Sequence, residues 1–126
     1  MNTALWIVTV ILALAMALSG GMKAIAGRDK LLENPRMAWA GDFSDSMVRF
    51  IGSVEFLGAV GLILPAVTGI APILVPLAAV GLAITMLGAV IVHVRRGDGA
   101  QAAIAPLILM LMAVFIAWGR FGAYAL

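Results

Sequence analysis

The sequence predicts an all-α polytopic membrane protein, in which residues 1–126 form a single domain, a four-transmembrane-helix bundle. The chain is 64% hydrophobic and only 11% charged, whereas soluble proteins are typically about 25% charged. A soluble domain of this length keeps much of its surface in water, so it could not bury so much apolar surface. The apolar runs are also continuous rather than alternating, which is typical of membrane-spanning helices and not of β-barrel strands.

Four segments are apolar enough to cross a membrane, which takes about 20 mainly apolar residues. The first contains Ala15-x-Ala17, a pattern found at signal-peptide cleavage sites, but no Lys or Arg precedes its apolar run. We therefore expect a membrane helix here rather than a signal peptide. The four predicted spans are residues 4–25, 47–65, 70–94 and 102–122.

The one long polar segment, residues 27–46, connects the first and second spans. Asn34-Pro35 marks a turn, because the residue before a proline is disfavoured in helix. Trp39 and Phe43 lie among charged residues, which suits aromatic rings at the level of lipid headgroups. We expect a polar loop lying on the membrane interface. The alternative is a functional cap over a cavity between the helices.

The other two connections are short. "PAVTGIAP" joins the second and third spans, and Pro65 and Pro72 bracket it as a stiff helical hairpin, with proline ending one helix and opening the next. "HVRRGDGAQ" joins the third and fourth spans. Pro106 is expected in the first turn of the fourth helix, where a missing N–H costs little.

Basic residues predict the orientation of the bundle. Lys and Arg accumulate on cytoplasmic loops, and seven of the eight basic residues lie on the face shared by the first and third connections. We therefore expect that face to be cytoplasmic and both termini to lie outside the cytoplasm. The opposite face has only Arg120. The seven are Lys23, Arg28, Lys30, Arg36, Arg49, Arg95 and Arg96.

Composition excludes several kinds of function. The net charge is only +2 and the basic residues are scattered, so no nucleic-acid partner is expected. Without cysteine the chain has no disulfide, thiol chemistry or cysteine-based metal site. One histidine without a Glu-x-x-His pattern gives no metal site either. No catalytic triad, phosphate loop or pair of catalytic carboxylates is present, which favours a role without catalysis and leaves no catalytic residue to assign.

Glu55 is the most informative residue, since it interrupts an apolar span. It lies eight residues beyond Met47, about 12 Å along a helix and therefore near the bilayer midplane. An acidic group there costs about 2.5–3.5 kcal/mol on insertion scales, so such groups normally face protein or water. Small neighbours on the same helical face support burial against another helix. The small neighbours are Gly52, Gly58 and Ala59, and Leu62 lies on the same face.

Glu55 then has two interpretations. It either joins two helices as a hydrogen-bonded or protonated glutamate, or it carries a proton or contacts a ligand. Ionisable groups inside membranes are usually functional, which slightly favours the second interpretation.

Three other residues are candidate polar contacts in or near the bundle cavity. Lys23 is expected to extend to the membrane interface rather than to pair with Glu55, although Lys23 or a bound polar group remains the predicted counterpart of that carboxylate. Arg49 lies at the same level and is the competing partner. His93 is expected at headgroup level, and the alternative is a proton relay from Glu55 to the cytoplasm.

Two further patterns have structural explanations. Arg120 lies beside Trp118 and Tyr124, which indicates an aromatic belt with an arginine extending to the interface. Gly81 and Gly88, two turns apart on the third span, indicate a packing seam.

Three stretches of the chain together resemble the DoxX-like family of small four-helix membrane proteins. They are "GGMKAIAG" at the end of the first span, "VRFIGSVEFLGAVGLILPAVTGIAP" for the second, and "AWGRF" near the end of the chain. The resemblance covers nearly the whole chain. The positions that match the family's pattern are Lys23 and the Gly-x-x-Glu-x-x-Gly formed by Gly52, Glu55 and Gly58.

The resemblance implies a function. Some relatives belong to thiosulfate:quinone oxidoreductase, others to membrane complexes that handle redox enzymes, and distant eukaryotic relatives assist receptor assembly. We therefore expect an accessory subunit of a membrane redox system in a bacterial inner membrane, binding a quinone or lipid. Its partners would be the lipid bilayer and either a larger membrane complex or further copies of the chain.

Two alternatives remain. Small proton-coupled transporters are also four-helix chains with one buried glutamate, and "SVEFLGAVGL" is similar to their motif. Their glutamate lies on the first helix, however, and their weak charge bias permits dual topology, whereas this chain has Glu55 on the second span and a strong bias. The other alternative is an assembly or scaffold factor with no ligand.

Overall fold

The computed structural model describes residues 1–126, which form four long helices and one short 3-10 helix without any strand. The long helices are α1 (Asn2–Leu31), α2 (Asp45–Thr68), α3 (Leu74–Arg96) and α4 (Ala100–Phe121). Each is long and apolar enough to span a membrane. The predicted all-α bundle of four membrane helices is therefore confirmed.

The bundle consists of two helical pairs. α1 packs most extensively on α2, and α3 on α4. Large apolar side chains also cover the outside, and Leu18 and Ile25 are 73% and 82% exposed. Such a surface suits a hydrocarbon surrounding, where apolar side chains carry no hydration cost. The core between the pairs includes Leu12, Met16, Leu62, Leu82 and Ile116.

α1 is longer than the predicted span and has a break. At Gly27 the backbone has φ 76° and ψ −178°, a conformation that glycine adopts readily because it has no Cβ. A Cβ there would lie 2.5 Å from Nη2 of Arg49. Arg49 donates hydrogen bonds to the carbonyls of Ala24 (2.9 Å) and Ile25 (3.2 Å). It thereby binds carbonyl groups that the break leaves without helical partners.

The remaining helix bounds differ from the predicted ones by a few residues. α2 continues past Pro65 to Thr68 and is capped by Gly69, whose φ is 69°. α3 begins at Leu74 rather than at residue 70. α4 begins at Ala100, so Pro106 lies inside the helix and not in its first turn. The prediction that Gly81 and Gly88 form a packing seam on α3 is wrong for contacts between the helices of one chain. A Cβ added to either glycine would meet nothing within 4 Å.

Residues 35–42 form the 3-10 helix, which we call the cap helix (Pro35–Asp42). Trp39 packs edge-on against Phe43, with ring centroids 5.9 Å apart. Asp42 pairs with Arg96 at the end of α3, with 2.5 Å between Oδ2 and Nη1. The predicted polar loop therefore contains a folded segment, which this ion pair joins to the end of α3. We call the end of the bundle that carries the cap helix the cap end. The opposite end, where Asn2 meets Arg120, is called the terminal end.

Candidate functional site

The site begins with a close approach of two glycines. A Cβ added to Gly20 would lie 2.5 Å from the carbonyl oxygen of Gly52, and one added to Gly52 would lie 2.5 Å from Cβ of Lys23. Only glycine permits this backbone contact between α1 and α2. Gly52 was singled out from the sequence and Gly20 was not, although Gly20 and Ala24 form a small-xxx-small pattern that predicts such contacts.

This contact sets Lys23 directly against Glu55. Nζ of Lys23 lies 2.5 Å from Oε1 and 3.1 Å from Oε2 of Glu55, and it also donates to Oγ of Ser19 at 3.1 Å. Glu55 is completely buried, and the Lys23 side chain is only 11% exposed. The preference for a Lys23 that extends to the membrane interface is therefore wrong, since a buried carboxylate beside it favours a paired ammonium.

The ion pair faces a cavity of about 860 Å³ between the two helical pairs, under the cap. Trp39 and Phe43 line its cap side, and the ring centroid of Trp39 lies 5.4 Å from Nζ of Lys23, within the range of a cation–π contact. Apolar side chains such as Met16 and Leu109 line much of the wall. Ligand pockets typically hold about 300–1,000 Å³, with mostly apolar walls and a few polar groups.

His93 lines the same cavity near the cap end, together with Asp98. Nδ1 of His93 lies 2.9 Å from Oδ2 of Asp98, and Nε of Arg96 donates to the same oxygen at 3.0 Å. The hydrogen bond with His93, supported by Arg96, holds the pKa of the Asp98 carboxyl below its usual range. Asp98 fixes the orientation of the imidazole ring and leaves Nε2 without a partner in the protein.

The structure thus brings three of the four candidate residues to one cavity: Lys23, Glu55 and His93. Arg49 does not belong to it. Nε of Arg49 pairs with Oδ2 of Asp45 at 3.0 Å, so Arg49 is not the competing partner of Glu55. The sequence placed Trp39 at the membrane interface or in a cap over a cavity, but it gave no contact with Lys23, because that contact depends on the fold of the cap.

The four apolar helices and their buried polar pair define an integral membrane protein of the helical-bundle class. The model of the DoxX-like family matches residues 7–116, which include Lys23, Glu55 and His93. The chain belongs to the DoxX-like family, and the resemblance seen in the sequence is confirmed. No curated protein and no solved structure matches the chain.

Proposed function

We propose that the protein is an accessory membrane subunit that binds a quinone, or a similar lipid-like molecule with a polar head, within a membrane redox system. The observation that carries this proposal is the buried Lys23–Glu55 pair, which faces a mainly apolar cavity of about 860 Å³ beneath Trp39. The subunit would act in a larger membrane complex or as a homo-oligomer, and it would hold its ligand rather than transform it.

The polar groups of the cavity suit the head of a quinone. A quinone carbonyl accepts hydrogen bonds, and the Lys23 ammonium and the Ser19 hydroxyl are donors on the same helix. The flat ring would lie against the aromatic side chains of Trp39 and Phe43. Glu55 would hold the Lys23 ammonium in position for this contact.

An apolar tail would have a path into the hydrocarbon. Ile84 lines the cavity and is also 65% exposed on the outside of α3, so the cavity reaches the surface beside this residue. A ligand with a polar head and an apolar tail would therefore keep its head beside Lys23 while its tail passes Ile84.

The same geometry favours ligand binding over the transporter alternative. A carboxylate that carries protons across the membrane must exchange them with water on both sides. Glu55 is completely buried and held by an ammonium group at 2.5 Å. This arrangement supports a fixed polar contact.

Fluorescence of Trp39 tests the proposal. With Trp6 and Trp118 replaced by Phe, Trp39 is the only remaining tryptophan, and a quinone bound beneath it will quench its emission. We expect saturable quenching by decylubiquinone in detergent micelles. Glu55→Gln should fold and lose the saturable component, whereas Glu33→Gln, which removes an exposed carboxylate, should keep it.

Two results would contradict the proposal. One is quenching that rises linearly with quinone concentration in every variant, which indicates collision in the micelle alone. The other is a Glu55→Gln variant that fails to fold, which would leave Glu55 with the structural role of joining two helices.

We further infer that the protein lies in the inner membrane of a bacterial cell. Its cap end would face the cytoplasm, and both termini would lie outside the cytoplasm. This inference is supported by the seven basic residues on the first and third connections and the adjoining helix ends.

A further inference from the structure

Arg120, at the far end of the bundle from the cavity, is buried. It lies in the last turn of α4 and is only 3% exposed, so the expected arginine extending to the interface is wrong. The physical reason is a close contact with the start of α1. A Cβ on Gly119 would lie 2.6 Å from Cδ1 of Leu5, so glycine lets α1 cover the neighbouring Arg120.

Only one side of the Arg120 guanidinium has partners in the protein. Nη1 donates to Oδ1 of Asn2 at 2.7 Å and to the carbonyl of Tyr124 at 2.9 Å. The Trp6 ring centroid lies 5.5 Å from the guanidinium carbon. Nε is buried without a hydrogen-bond partner, and Nη2 has none either. Because the protein encloses Nε, Nη2 is the nitrogen of Arg120 that an anion from outside can reach with a charge-assisted hydrogen bond.

No acidic side chain balances this charge. Arg120 takes part in no ion pair. The carbonyl end of α4 supplies only a partial negative charge. A buried charge without a full counterion is costly, which favours a negative partner from outside the chain. Glu55 is bound to Lys23, and the other acidic residues lie around the cap end: Asp29, Glu33, Asp42, Asp45 and Asp98.

We propose that Arg120 binds the phosphate group of an anionic phospholipid through Nη2, the guanidinium nitrogen that is neither hydrogen-bonded nor fully buried. The position of Arg120 in the membrane points to a lipid rather than to a soluble anion. Arg120 lies at the end of a membrane helix beside Trp118 and Tyr124, whose ring centroids are 6.4 Å apart. Such aromatic residues lie at headgroup level. A phosphodiester presents free, negatively charged oxygens, which accept a charge-assisted hydrogen bond from a guanidinium nitrogen.

The site is tested by the melting temperature of the purified protein in detergent with added phosphatidylglycerol, phosphatidylcholine of the same acyl chains, or inorganic phosphate. We expect a saturable rise with phosphatidylglycerol, a smaller one with phosphatidylcholine, and no shift with phosphate. Arg120→Lys keeps the charge but loses the planar guanidinium and its Nη2 donor, so it should weaken phosphatidylglycerol binding about tenfold. The control Arg95→Lys changes an exposed arginine and should bind as the wild type does.

Three results would overturn the proposal. They are equal effects of the two lipids, an unchanged affinity in Arg120→Lys, and a shift that inorganic phosphate alone reproduces, which would assign Arg120 to a soluble anion. If Arg120→Lys fails to fold, the site is tested on the wild-type protein with the two lipids. Native mass spectrometry of the wild type should then show one phosphatidylglycerol retained in preference to phosphatidylcholine, and no preference would count against the site.

Discussion

Lys23 and Glu55 lie where water is scarce, so each side chain depends on the other. Glu55 is completely buried, and 11% of the Lys23 side chain is exposed. Removing one partner of a buried ion pair leaves an uncompensated charge and typically costs about 3–5 kcal/mol. We expect Lys23→Met to lower the free energy of unfolding by about this amount, measured by SDS denaturation in mixed micelles.

The double variant Lys23→Met with Glu55→Met provides the control. Replacing both charges by apolar groups removes the unpaired carboxylate, so it should recover most of the lost stability. If the two substitutions destabilise additively, the side chains are not energetically coupled and the ion pair does not have the role assigned to it.

Asp98 gives the cap end a dependence on pH. Hydrogen bonds from His93 and Arg96 hold its pKa below the ordinary value of 3.8. The folded state therefore favours the ionised carboxylate, so this contribution is present above pH 3.8 and is lost as pH falls through the lowered pKa. Between pH 5 and pH 3, the wild type should lose more thermal stability than Asp98→Asn. Equal losses in the two proteins would contradict this role for Asp98.

At the scale of helices, the contact between Gly20 and Gly52 determines how close α1 comes to α2. A Cβ at position 20 would lie 2.5 Å from a backbone oxygen, and backbone cannot yield as a flexible side chain does. We expect Gly20→Ala to destabilise the bundle by about 1–3 kcal/mol, the usual cost of overpacking. SDS denaturation in mixed micelles measures the effect.

Gly81→Ala is the matched control, since it makes the same change in α3 where nothing lies within 4 Å. It should be neutral or stabilise the helix by up to about 1 kcal/mol, because alanine loses less conformational freedom on folding. Equal destabilisation by both substitutions would show that loss of glycine flexibility, and not the helix contact, is responsible.

The four helices could be predicted because apolar runs of their length have few alternatives in a protein so poor in charge. It was also predictable that the Glu55 side chain faces the interior of the bundle, since a carboxylate that faces hydrocarbon is costly. Lys23 was named as a counterpart of Glu55, but the sequence could not exclude Arg49, because the two residues are expected at a similar level in the membrane. The structure decides between the two through Gly20, which brings Lys23 inward, and through the break at Gly27, where Arg49 binds backbone carbonyls.

Longer-range contacts lay beyond the sequence. Residues 28–31 look like a charged loop and are helical in the structure. Arg120 looks like an interfacial arginine, but its partner Asn2 is 118 positions away, and no local pattern joins the two. The same holds for Asp42 and Arg96, which connect the cap helix to α3.

At the scale of the whole molecule, the orientation in the membrane can be tested with reporters. Alkaline phosphatase fused after residue 126 should be active, because the terminal end is expected outside the cytoplasm, and green fluorescent protein at the same place should not fluoresce. Fusions after Gly97, at the cap end, should give the opposite result. A reporter at residue 126 that is active only in the cytoplasm would contradict this orientation.

The central claim is that the Lys23–Glu55 pair contacts a bound lipid-like ligand, and a density map of the protein extracted from its native membrane tests it most directly. With a rigid antibody fragment bound for particle alignment, we expect an elongated non-protein density in the cavity. Its head should lie beside Lys23 and Glu55 beneath Trp39, and its tail should leave past Ile84. A cavity that holds only water beside an intact ion pair, or one closed by side chains, would contradict the claim.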